Sequence, residues 1–118
     1  MVAVAVGLLL QGPLHRAECV RYILSVEDRF GFRSGWLAQV EHDTFAILDV
    51  SPGGLFARAG FRSGDVPVEH HDGLGAFRVA LSESSAGHWS EVTVIHAAEL
   101  ADGWPRARVI SIPALSSR

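Results

Sequence analysis

The chain has no lysine and a single cysteine in 118 residues, and only 19% of its residues are charged. Its ten basic residues are therefore all arginine, scattered from Arg16 to Arg118, with a formal net charge of -3. Scattered arginine without interleaved aromatics supplies neither a long-range positive field nor a base-stacking platform, which argues against a nucleic-acid partner. Cys19 alone closes no intramolecular disulfide and builds no thiolate cluster, so the compartment is left open between cell envelope and cytoplasm. Its apolar neighbours predict an inert thiol. The apolar run Met1 to Leu10 falls short of the roughly 20 residues a spanning helix needs, and it lacks the charged start and small-x-small site of a secretory signal. No membrane insertion by this chain is expected.

What is present is an apolar content of 48%, enough for one domain with a real core. Gln11-Gly12-Pro13 breaks the first run, so residues 1–13 read as a lead-in, 14–113 as the domain and 114–118 as a frayed tail. Between Leu14 and Val26 two periods compete. Leu14, Ala17, Val20 and Leu24 fit a helical face, while Val20, Tyr22, Leu24 and Val26 alternate as a strand. Their β-branched and aromatic content favours a strand over Val20 to Val26. Strands are expected over Phe32 to Val40, Phe45 to Val50 and Val66 to His70. In the last of these Pro67, with no N–H to give, predicts an edge position or a bulge. A helix is expected from Leu74 to Ser84 on the spacing of Leu74, Phe77, Ala80 and Leu81. A hairpin is expected between Trp89 to His96 and Arg106 to Ile112.

The densest local signal runs from Val50 to Asp65. Pro52 pushes Ser51 towards extended geometry, and Gly53 and Gly54 accept positive φ, so the preceding strand must stop there. Leu55, Phe56 and Ala59 then share one face of a short helix that Gly60 is placed to close in the left-handed region. Phe61 follows in position to fold back on the core.

Ala59-Gly60-Phe61-Arg62-Ser63-Gly64-Asp65, with the Pro-Gly turn before it, resembles the most recognisable segment of PDZ domains, in particular the bacterial type. Phe56 departs from that pattern, which usually has a small residue there and so a closer-packed helix. The resemblance implies an α+β fold, a PDZ-like partly open antiparallel β-barrel of five or six strands with two helices. It also implies a non-catalytic module that binds a partner's C-terminus, or an extended segment, as an added strand in a groove between the second strand and the second helix. Such domains in bacteria commonly accompany proteases, so an accessory role to one is expected.

On that reading Arg29-Phe30-Gly31-Phe32 stands where the family's carboxylate-binding loop lies, with Arg29 replacing its first glycine. The competing reading of Phe30 and Phe32 is a pair closing the core around a turn glycine. Leu74, Arg78 and Leu81 would set groove specificity from the helix. Leucine at position 74 cannot donate the hydrogen bond that a histidine gives there, so an apolar ligand with an apolar terminal residue is expected. Here too the alternative is that Leu74 and Leu81 face the core. At the level of the whole domain the alternative is a structural or assembly role, with the groove filled by the chain's own segments or by a second copy.

Chemistry of other kinds finds little footing. No Gly-x-Ser-x-Gly elbow, His-Glu-x-x-His pair or phosphate loop occurs, so no catalytic residue is assigned, and a hydrolase using loop serines and histidines is the weakest alternative. His70 and His71 point to opposite faces of a strand. With Asp72, His42, His88 and His96 they match no closed tetrahedral set, so neither a metal nor another cofactor is expected.

Overall fold

In the computed structural model, residues 2–38, 44–68, 73–101 and 103–115 are described. The chain opens with a helix, α1 (Val2–Phe30), where the alternation of Val20, Tyr22, Leu24 and Val26 predicts a strand. Among residues 15–30, where the helix's side chains are described, the buried positions are Cys19, Ile23, Val26 and Phe30, which recur at four-three-four spacing and make one stripe of a 3.6-residue period. That stripe packs on the body of the domain, and its burial overrides the β preference of the residues between. Of the helical face that the sequence suggests, Ala17 and Leu24 point outwards, Leu24 being 49% exposed, while Val20 is half-buried and packs against the core. The helix backbone also runs unbroken through Gln11-Gly12-Pro13, across the expected boundary of the lead-in.

Gly31 stops α1. Its φ of 81° places it in the left-handed region, and its N–H donates to the Glu27 carbonyl at 2.8 Å, closing the last turn. β1 (Phe32–Leu37) then pairs antiparallel with β2 (Thr44–Val50), with a register shift between Arg33 and Ser34. Next come α2 (Leu55–Ala59), β3 (Asp65–Val68), α3 (Gly73–Ser85), β4 (Ser90–His96), α4 (Ala97–Ala101) and β5 (Arg108–Ile112). β3, β4 and β5 form a second antiparallel sheet in that order.

The architecture is therefore α+β, with five strands in two antiparallel sheets and four helices among the described residues, and it is not a closed barrel. The element expected as a first strand is the helix α1, and the extra late strand takes the outer edge beside β4. Pro67 does lie on an edge strand, opposite Val94. The expected hairpin is present as the β4–β5 pair, although α4 occupies part of its connection. The start of the supposed tail is pinned. The Ser84 hydroxyl donates to the Pro113 carbonyl at 2.7 Å, the Leu115 N–H donates to the Ser84 carbonyl at 2.9 Å, and Leu115 packs on the core.

Phenylalanines fill the centre. Phe56 stacks on Phe32 at 4.3 Å and on Phe61 at 4.0 Å between ring centroids, and it also meets Phe30 and Phe77. The residue that departs from the family pattern is thus the hub that α1, β1, α2, α3 and the turn after α2 share. Complete burial of such a ring contributes about 2–3 kcal/mol by area alone.

The turn from Arg62 to Asp65 joins the two sheets. The Gly64 N–H donates to the Ile47 carbonyl of β2 at 2.7 Å, and the Gly64 carbonyl accepts from Ala97 at 2.8 Å. Asp65 is fully buried. Its carboxylate accepts the Arg62 N–H at 2.8 Å and pairs with Arg108 of β5 at 2.6 Å. The Gly-Asp signature of the sequence has a structural role here: it fastens β2, the start of α4 and β5 at one point.

Candidate functional site

The walls of the expected groove are β1 and α3. β1 pairs with β2 along one edge, and no strand pairs with its other edge among the described residues. α1 occupies that side, since it packs against both β1 and α3. Because Gly31 reverses the chain directly between α1 and β1, the helix folds back along the strand that follows it. Phe32 and Phe77, with ring centroids 5.8 Å apart, close the floor where the two walls meet.

Glu27 makes the closure specific. Its Oε2 accepts the backbone N–H of Ser34 at 2.5 Å and the Ser34 hydroxyl at 2.7 Å. Ser34 sits at the register shift of β1, so a main-chain donor of this strand is committed to a carboxylate from α1. A carboxylate accepting one backbone N–H and one hydroxyl forms charge-assisted bonds, roughly twice as strong as neutral ones. On the other wall, the Arg78 guanidinium lies over the Tyr22 ring, 5.3 Å from its centroid.

Each sequence-predicted site residue can now be placed. Arg29 and Phe30 belong to the last turn of α1 and not to an open loop; Arg29 is exposed, and Phe30 is fully buried. The Gly31 N–H, expected to help form a carboxylate nest, already donates to Glu27, and Phe32 is buried in the phenylalanine cluster. Gly31 also abuts the Pro-Gly-Gly turn. Its carbonyl accepts from Ser51 at 2.9 Å, and a Cβ at position 31 would stand 3.3 Å from the Gly54 Cα. The two glycine motifs of the sequence are thus packed on each other.

On α3, Leu81 is fully buried and Leu74 is partly buried against the core, while Arg78 meets α1. The core-facing alternative describes the two leucines. Sequence reasoning missed Tyr22, Ile23, Val26, Glu27 and Ser34. The signal that could have found the first four is the four-three-four stripe ending at Gly31; nothing local marks Ser34.

Among the histidines, His42, His70 and His71 lie outside the described residues, as does Asp72. His88 is exposed. The His96 ring is held at both nitrogens: Nδ1 accepts from the Ala98 N–H at 3.2 Å, and Nε2 lies 3.0 Å from the Ser63 carbonyl. No group of three potential metal ligands converges among the described residues.

An open groove lies on the outer face of α1. It is lined by Arg16, Ala17, Val20, Arg21, Leu24 and, from β1, Trp36, and it encloses about 540 Å³. No protein-family model, curated protein or solved structure matches this chain.

Proposed function

We propose that this is a non-catalytic structural or assembly domain built on a PDZ-like plan, in which α1 fills the cleft that an extended peptide would otherwise enter. The observation that carries this reading is the position of α1 against both β1 and α3, with Glu27 on the Ser34 amide. A peptide adding to β1 would have to break that charge-assisted contact and expose Ile23 and Val26, both buried. Exposing two aliphatic side chains of this size costs about 3–6 kcal/mol, which a short peptide must recover before any net affinity appears.

A second reading keeps peptide binding. On it, a protein C-terminus with an apolar last residue displaces α1 and lies between β1 and α3, with Leu74, Arg78 and Leu81 beside it. This is favoured by the lack of a strand partner on the outer edge of β1 among the described residues. It is also the function that the resemblance over Val50 to Asp65 implies, including an accessory role to a protease. A screen of random C-terminal peptides against the full chain separates the two. Self-occupation predicts no saturable binding to wild type. Micromolar capture by wild type that Leu74→Asp abolishes, with the fold intact by circular dichroism, would establish the displaced-helix reading instead.

A further inference from the structure

Among the described residues, the strands leave three places where a sheet edge could meet another chain, and two of them are already taken. α1 lies along the outer side of β1. β2 and β3 face each other, where the Gly64 N–H donates to the Ile47 carbonyl, the Ser63 hydroxyl donates to the Leu48 carbonyl, and Pro67 has no N–H to offer. The third place is the outer edge of β5. β4 pairs with its inner side, and α2 packs against the strand without bonding to it. None of the outward backbone groups from Arg108 to Ile112 has a hydrogen-bond partner among the described residues.

Exposed edges are usually blunted by lysine, proline, a bulge or a covering element. The chain has no lysine, β5 has no proline, and its register with β4 runs unshifted from Ile112 opposite Ser90 to Arg108 opposite Val94. The single charge on the strand, Arg108, is turned inwards onto Asp65 at 2.6 Å. At five residues β5 has an ordinary length for a strand. Val109 and Ser111 are its exposed pair, one on each side of buried Ile110, and Val109 is 64% exposed. An antiparallel two-fold at Ile110 therefore sets Val109 against Ser111 twice, with all five residues matched and both inner faces on one side.

We propose that β5 pairs with β5 of a second copy of this chain, antiparallel about Ile110, joining two three-stranded sheets into one of six strands. Residues 104–107, which lead into β5, then run past Pro113 of the second copy and towards its Trp89, which continues the β4 row beside Pro113. Trp89 is 70% and Trp104 87% exposed, so large apolar side chains stand at both ends of the seam. Two indoles per copy, roughly 150–250 Å² each, bring it towards the roughly 800 Å² per partner of a standard interface. A two-fold contact closes on itself, so the assembly is a dimer and not a fibre. The seam rests on the assembly reading above for its purpose, yet it uses no residue of α1, β1 or α3. A chain that stays monomeric would therefore leave the closed cleft, which peptide binding tests, untouched.

The test is sedimentation velocity of the full chain over a concentration series. The expected result is a monomer–dimer equilibrium, about tenfold or more weaker for the double variant V109K/S111K, which opposes like charges across the seam. V109E/S111E should weaken it likewise. An equal mixture of the two variants should restore a dimer, since opposite charges then face each other, and restoration by mixing excludes misfolding as the cause of the loss. In wild type, amide exchange of residues 108–112 should slow as concentration rises while that of α1 stays constant, a measurement that needs no variant. A wild-type chain that remains monomeric at every concentration overturns the proposal, whether its β5 edge then stays open or takes a strand of another protein. So does a dimer that both variants leave unchanged, or a loss of dimer that mixing does not restore.

Discussion

The segment from Val50 to Asp65 and the second half of α1 are similar in length and meet where Phe30 touches Phe56, yet they are specified in opposite ways. In the first, each turn is dictated where it stands. Pro52 and Gly53 end β2, Gly60 adopts a φ of 109° and donates to the Phe56 and Ala57 carbonyls, and Asp65 closes its own turn on Arg62. In the second, no local residue decides between helix and strand. What decides is the partner: only a helix brings Cys19, Ile23, Val26 and Phe30 to one side, where α3 and β1 can bury them. Local backbone chemistry fixes the first region, and tertiary burial fixes the second.

That contrast can be broken or sharpened by substitution. The largest effect is expected at Phe56, where both regions meet. Phe56→Ala should cost about 3–5 kcal/mol, read from urea unfolding, since no small side chain refills a site ringed by Phe30, Phe32, Phe61 and Phe77. A loss under about 1 kcal/mol would mean that the hub repacks.

Next comes a pair within α1. Ile23→Ala should cost about 2–4 kcal/mol and Leu24→Ala under about 0.5 kcal/mol, because the helix buries the first and exposes the second. A strand with the alternation of Val20, Tyr22, Leu24 and Val26 demands the reverse order, so the sign of this difference tests the helix without any structure determination.

Asp65→Ala should follow at about 3 kcal/mol, leaving Arg108 and the Arg62 N–H without their acceptor. It stands at the low end for a buried pair because Arg108 is itself 34% exposed. Gly60→Ala is the smaller of these two, about 1–2 kcal/mol, the cost of a Cβ in left-handed geometry, since apart from its chain neighbours no atom lies within 4 Å of the new methyl. Thermal melting in parallel checks both.

The same division explains what the sequence revealed. β1, β2, α2, β3, α3, β4 and β5 were each anticipated within a few residues, because alternation, helical spacing and glycine stops are local signals. Phe61, Gly60 and Pro67 occupy the roles expected of them. The candidate site was less legible. Arg29-Phe30-Gly31-Phe32 has the residue types of a loop around a turn glycine, and only long-range packing turns its first half into the end of a helix. The same packing hides Phe30 and Phe32, and it sets Glu27 against Ser34. The β preference of Val20, Tyr22 and Val26 pointed away from that outcome, and a register shift in β1 that no residue announces completed it.

The closure of the cleft is tested most directly by amide hydrogen exchange of the full chain, followed residue by residue by NMR. With α1 seated and Glu27 bonded, the Ser34 and Gly31 amides should exchange as slowly as the interior amides of α1, and Glu27→Ala should accelerate Ser34 while leaving Gly31 protected. A Ser34 amide that exchanges in wild type like that of an uncovered edge strand, with α1 opening independently of the core, would contradict the account.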